Sequence, residues 1–256
     1  MRLLNLLILL IVLPVVGQEA PAKKLPPLVI GIQQIDHYPH YDITRGELRG
    51  FAGDLFRRFA REYDLDIRYI PMPVKRLFSD GQAETIDFIY PDNPKWQALR
   101  EGDDGRYYSH AVVSILGVAL VKPEHVSISL PQVRSLSIVR GFTPTKWLSV
   151  KPNHNFEFIE VNDSLAAALM VLKGRVTVAE GEYNVIMHQL SQLGLQDSLV
   201  VAPNLPVSRV SYHLSTVREL DRLNQFNQFL TDHQVDIQQL MANYGLKTDL
   251  PELAGK

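Results

Sequence analysis

The strongest constraint on this chain is an alternation of short apolar runs with amphipathic helical segments. Residues 28–32, LVIGI, form an apolar run of strand length. Residues 50–65, GFAGDLFRRFAREYDL, then place Leu55, Phe56, Phe59, Ala60 and Tyr63 at helical spacing. Residues 66–71, DIRYIP, and 87–90, DFIY, read as two more strands, with a short helix at 74–78 between them. Strand, helix, strand, helix, strand requires crossover connections, and these give a parallel sheet covered by helices.

The middle of the chain repeats this order. Strands are predicted in GVALVK (117–122), SLSIVRG (135–141), FEFIEV (156–161) and VTVA (176–179). Helices are predicted in DSLAAALMVLKG (163–174), with Asp163 as N-cap and Gly174 as stop, and in EYNVIMHQLSQLG (182–194). The tail is helical. TVRE at 216–219 has capping-box spacing, Leu220, Leu223, Phe226, Asn227 and Leu230 share a face, and VDIQQLMANYG (235–245) gives a last helix. The fold class expected is therefore α/β, in two units plus a helical tail. Two extended stretches, near 113–122 and 200–210, would carry the chain out of the first unit and back. A cleft between such units is a natural ligand site.

Composition narrows the function classes. The chain has 256 residues, 46% of them hydrophobic and 21% charged, which suits one large domain or two lobes. Arg2 precedes the apolar run LLNLLILLIVLPVVG, followed by QEAPAKK. This pattern predicts a secretory signal peptide at 1–17, cut after Gly17. The apolar run ends near Val16, short of the roughly 20 residues a membrane-spanning helix needs. There is no cysteine, so disulfides, thiol nucleophiles and a lipid anchor on cysteine are excluded. A soluble periplasmic protein is the simplest reading. Without the leader the chain has 25 basic and 28 acidic residues and no basic stripe, so nucleic acid is not an expected partner.

IDHYPHYD, residues 35–42, crowds aromatics, acids and histidines around one proline. Tyr38 and Tyr41 offer faces on which an apolar or cationic group can lie, or they pack within the loop. His37 and His40 are half of a metal site, even with Asp36 or Asp42, and no second cluster supplies the remaining ligands. Metal is therefore not expected. Thr143 follows Gly141 at a strand-to-helix turn, where free N–H groups attract anions. Arg140 and Thr145 flank it, and Arg140 equally suits a surface salt bridge.

LVIGI, YPHYD and the run from Gly46 through Gly50, Phe51, Asp54 and Leu55 resemble the first lobe of the family 3 periplasmic solute-binding proteins, the amino-acid-type components of ABC importers. Gly81 with Ile86 and Asp87 resembles their G-x-x-D more loosely. SLSIVRGFTPTKWL, GRVTVAEGEYNVIMHQL and NYGL resemble the second lobe and the C-terminal signature. The resemblance implies two α/β lobes with a two-stranded hinge: a first lobe from 26–112, a second from 113–207, and a return to the first at 208–256. It implies a monomeric, non-enzymatic protein without cofactor, closing on an amino acid, an amine or a similar polar solute, with a membrane permease as partner. A sensor feeding a membrane receptor and a dehydratase-like enzyme are the alternatives on the same fold. DFIYPDNPKW, YYSHAVV and VRGFTPTKWL are similar to a subgroup with poorly defined ligands.

By the same resemblance, Tyr41, then Tyr38, would stack on the ligand, the loop at Thr143 would hold its carboxylate, and Glu182 would receive its ammonium group. Glu182 also suits a helix N-terminus. The chain departs from the family in the first lobe. Pro91, Asp92 and Asn93 replace a run of hydroxyl residues, and no Arg stands in the carboxylate-clamping frame. Lys95, Arg100 and Arg76 are the nearest cations, and Val74 stands where an aromatic is common. Asp92 beside Glu182 would suit an amine, while Asp92 and Asn93 also read as turn residues. Trp96 and Trp147 fall near the two cleft edges, Trp147 more as a core residue.

Overall fold

The computed structural model describes residues 26–79, 85–97 and 105–253, so the leader expected at 1–17, Gly81 and Arg100 lie outside the described residues. The chain opens with β1 (Leu28–Gln33), the short pair β2 (Asp36–His37) and β3 (Tyr41–Asp42), α1 (Phe51–Glu62), β4 (Ile67–Met72), α2 (Val74–Leu77), β5 (Phe88–Asp92) and α3 (Pro94–Gln97). After β6 (Tyr107–Tyr108) the long β7 (Val113–Val121) leads to β8 (Ser135–Val139), α4 (Thr145–Val150), β9 (Glu157–Val161), α5 (Ser164–Leu172), β10 (Val178–Glu182) and α6 (Tyr183–Ser191). It returns through β11 (Val200–Val201) and the long β12 (Ser208–Thr216) to α7 (Leu220–Asp232) and α8 (Gln234–Asn243).

The main sheet runs β4-β1-β5-β12-β7-β10-β8-β9. It contains two parallel trios, β4-β1-β5 and β10-β8-β9. Between them β7 and β12 pair antiparallel with each other and with one trio each. This is a two-lobed α/β fold whose halves are joined by two crossing strands. The second crossing strand starts at Ser208, near the end of the stretch predicted at 200–210, because Val200 and Val201 first pair back onto β7.

Burial follows the sequence pattern. The apolar β1 is central in its trio and almost wholly buried, as a strand covered on both faces must be. Phe56 and Phe59 of α1 meet Phe226 of α7, and Phe59 also meets Phe229, which anchors the tail on the first half. In the second half β7 sends Val118 and Leu120 to one core and Ala119 and Val121 to the other, the two-residue period of a strand with helices on both faces. Asp163 caps α5 by accepting Ala166 N at 2.7 Å, and Gly174 follows that helix at φ +66°. Half of the capping box predicted at 216–219 forms, the bond from Glu219 N to Thr216 Oγ1, while the N-cap of α7 is Glu219 and not Thr216. Thr216 is still paired in β12, and its Oγ1 accepts from Arg218 N and Glu219 N in the turn before α7.

Candidate functional site

The YPH loop is tied down from below. Pro39 O accepts Phe51 N and His40 O accepts Ala52 N, each at 2.9 Å, which occupies the first donors of α1. Gly50 makes this possible. Its φ is +82°, and a Cβ there would stand 2.8 Å from Pro39 O. The Gly-Phe at 50–51 therefore carries the loop that carries the histidines.

Both histidines are buried. His37 Nε2 and the Tyr212 hydroxyl hydrogen-bond at 2.8 Å. His37 is pushed down to about 3, by burial first and then by His40 beside it, against the pull of Glu182. His40 Nε2 crosses to the second half and stands 3.2 Å from Glu182 Oε2. Glu182 is the N-cap of α6: Oε2 accepts Val185 N and Oε1 accepts Asn184 Nδ2, both at 2.8 Å. Burial opposes its ionisation, but His40 and the Val185 N–H outweigh burial and hold the carboxyl below the usual range. Among the described residues no group of three or more His, Cys, Asp or Glu is placed to hold a metal ion.

Beside this cluster a cavity of about 350 Å³ lies between the halves. The first half contributes Gln33, His37, Val74, Lys75, Phe78 and Trp96. The crossing strands contribute Ile115, Gly117, Ser208, Val210 and Tyr212. The second half contributes Ile138, Val139, the segment 141–146 and Glu180 to Glu182. The halves touch along its rim, where His37 meets the Phe142 edge at 5.9 Å and a Cβ on Gly141 would stand 3.2 Å from Val74 Cβ.

The cavity wall holds a buried ion pair. Lys146 Nζ is 2.9 Å from Glu180 Oε2, at ion-pair distance but without hydrogen-bond geometry, and Trp147 Nε1 donates to the same oxygen at 2.7 Å. Burial lowers Lys146 and raises Glu180, each opposed by the charge of the other. Gly117 keeps room for the ammonium, because a Cβ there would collide with Ser208 Oγ and stand 3.4 Å from Lys146 Nζ.

Of the residues read from sequence as ligand contacts, Thr143 and Glu182 line this cavity, as do His37, Val74, Trp96 and Thr145, which the sequence singles out without that role. Seven others are not in its walls. Tyr41 is fully buried, its hydroxyl donating to Gln33 Oε1 at 2.7 Å. Tyr38 is half-buried between His188, with ring centroids 4.6 Å apart, and Tyr244, at 6.0 Å. Arg76 is exposed on α2, whose neighbouring Val74 and Lys75 face the cavity instead. Asp92 is buried at the end of β5 and accepts Ser215 Oγ and Asn93 N, each at 2.7 Å. Asn93 donates to Ser211 O at 2.6 Å and accepts Lys95 N at 2.8 Å, so both act as turn and strand-end residues. Lys95 is exposed, and its neighbour Trp96 faces the cavity. Arg140 is exposed and pairs with Glu160 at 3.2 Å. Trp147 is core, yet its indole N–H holds Glu180.

Sequence reasoning missed Gln33, Lys146, Glu180 and Tyr212. Two signals were available. Glu180 lies two residues before Glu182, hence on the same strand face, and Lys146 opens the helix that follows Thr143.

No protein-family model matches the chain, and no curated protein matches it. Solved structures do match. A GluR0 ligand-binding core in complex with L-glutamate aligns at TM-score 0.70 and 16% identity, over 87% of this chain and 99% of that one. The substrate-binding protein of an amino acid ABC transporter aligns at 0.67 and 15%, over 86% and 99%. A histidine kinase sensor domain with similarity to periplasmic binding proteins aligns at 0.70 and 13%, over 85% and 95%. Together with the two parallel trios and the crossing strands, these matches show that the chain has the two-lobed periplasmic binding protein fold.

Proposed function

We propose that the protein is a solute-binding protein that closes its two halves on a small molecule. The observation that carries this reading is the cavity of about 350 Å³ walled by both halves and by both crossing strands. That volume lies at the lower end of the usual range for ligand sites, and its few polar groups sit in mostly apolar walls. Solute binding across such a cleft shifts an open–closed equilibrium, with the crossing strands as the hinge.

The protein acts in this reading as a periplasmic monomer released from its leader, and it delivers the solute to a membrane permease of the ABC class. The likeness to an ABC substrate-binding protein supports this role. The likeness to a kinase sensor domain supports a second reading, in which the occupied form is read by a membrane receptor. No helix among the described residues is long and apolar enough to cross a membrane. The site assigned to the solute is binding rather than catalytic. Of the groups a dehydratase-like reaction would need, Glu182 is held by the N–H of Val185 on α6 with His40 beside it, and His37 is held by Tyr212.

The test is a melting-temperature screen against amino acids, amines, organic acids and short peptides. A solute that binds only the folded form raises the midpoint by mass action. At least one class is expected to raise it and to be recovered unchanged. Flat curves across the panel would reject solute binding, and conversion of the solute would reject the non-catalytic reading.

A further inference from the structure

Resting on the solute-binding reading, we infer that Lys146 is the polar anchor of the cavity and that its solute is a monocarboxylate with an apolar or aromatic body and no required ammonium group. Three observations lead there. The first concerns acids. Glu182 is occupied: Asn184 Nδ2 and Val185 N donate to its two oxygens, and His40 Nε2 stands 3.2 Å from Oε2 without hydrogen-bond geometry. Glu180 already holds Lys146 and the Trp147 N–H on one oxygen. Neither acid is left without a cation or donor for an incoming ammonium to satisfy.

The second concerns donors. Lys146 has three N–H donors, and its ammonium is buried with one counter-ion at ion-pair distance and no hydrogen bond. A buried donor left in that state is costly, and an incoming oxygen acceptor removes the cost. His37 Nδ1 is likewise buried without a partner on the same cavity wall. Two ammonium groups, Lys75 and Lys146, and two carboxylates, Glu180 and Glu182, line the wall, and of these four only Lys146 has a buried polar atom without a hydrogen bond. One carboxylate supplies the oxygen acceptors that Lys146 Nζ lacks, and a second would face Glu180 and Glu182 without a free donor.

The third concerns the body of the solute. Phe78, Trp96, Phe142 and Tyr212 stand around the cavity with Ile138 and Val139, which favours an apolar or aromatic frame over a polyhydroxylated one.

Three probes with the same body separate the possibilities: 3-phenylpropionate carries the carboxylate alone, 2-phenylethylamine the ammonium alone, and phenylalanine both. Titration calorimetry of the purified protein is expected to give 3-phenylpropionate an affinity at least about tenfold above the other two. Equal or tighter binding of the amine or the zwitterion would overturn the inference. So would the absence of binding by 3-phenylpropionate and by hexanoate at millimolar concentration. If another solute of the broad screen then binds, the class fails and the solute-binding reading stands. If nothing binds, both fail. Because Lys146→Gln alone strands Glu180, the variant to use is Lys146→Gln with Glu180→Gln. It is expected to keep its cooperative melt and to lose about tenfold or more in carboxylate affinity. Retained affinity in that folded variant would remove Lys146 from the site.

Discussion

Glu180 and Glu182 stand two residues apart on one face of β10, and both line the cavity, yet their surroundings drive them in opposite directions. Glu182 is the last residue of the strand and the N-cap of α6, so a free backbone N–H and the positive end of the helix meet its carboxylate. The first half adds His40. Glu180 is inside the strand, at a position paired with Ala119 of β7, so no helix end serves it. Among the described residues, two side chains of α4 hold it, Lys146 and Trp147. Burial therefore wins at Glu180 and loses at Glu182. A carboxylate in a cleft is thus not a ligand contact by position alone. What its neighbours leave unsatisfied decides whether it belongs to closure or to recognition.

That contrast breaks first if Lys146 is removed alone. Lys146→Met leaves a buried carboxylate without its cation and is expected to cost about 3–5 kcal/mol, whereas Lys146→Gln with Glu180→Gln should stay within about 1 kcal/mol of the parent. Urea denaturation of both variants measures the difference. Equal losses would mean that the two charges do not depend on each other.

A pH series sharpens the other side. His37 has its folded value near 3, below its ordinary value of 6.5. The unfolded chain then takes up a proton that the fold refuses, so stability falls as pH drops from about 6.5 towards 3, by at most about 1.4 kcal/mol per pH unit from this group. Glu182 is depressed below 4.5, so its contribution is present above that value and is lost as pH falls through its folded value. His37→Phe should flatten the upper part of the profile and leave the lower part. An unchanged upper part would contradict the assignment. The smallest expected effect is at Arg140, an exposed pair with Glu160 outside the cavity. Arg140→Ala should change stability by no more than about 0.5 kcal/mol and leave solute affinity unchanged.

The fold was legible where the signal is local. β1 is an apolar run because it is central and parallel, and α5 starts at Asp163 because an aspartate side chain meets a free N–H. Thr216 was legible by half: its side chain accepts Glu219 N as the spacing predicts, but its backbone belongs to β12, which only pairing with Tyr107 reveals. The site was legible in the same measure. Thr143 and Glu182 sit in motifs of their own segments, but Lys146 meets Glu180 only when α4 packs against β10. Tyr41 reads as a platform by composition and is instead closed off by Gln33, a residue eight positions earlier on β1. Asp92 and Asn93 look like cleft acids and amides until Ser215 and Ser211 of β12 claim them.

One measurement tests the division of labour on β10 most directly: the solute affinity of Glu182→Gln set beside that of the folded Lys146→Gln, Glu180→Gln variant. The expected result is a loss of about tenfold or more in the double variant and a clearly smaller loss in Glu182→Gln, whose main defect is a lower melting temperature. The reverse order, with Glu182→Gln losing the solute and the double variant keeping it, would contradict the assignment of recognition to Lys146 and of closure to Glu182.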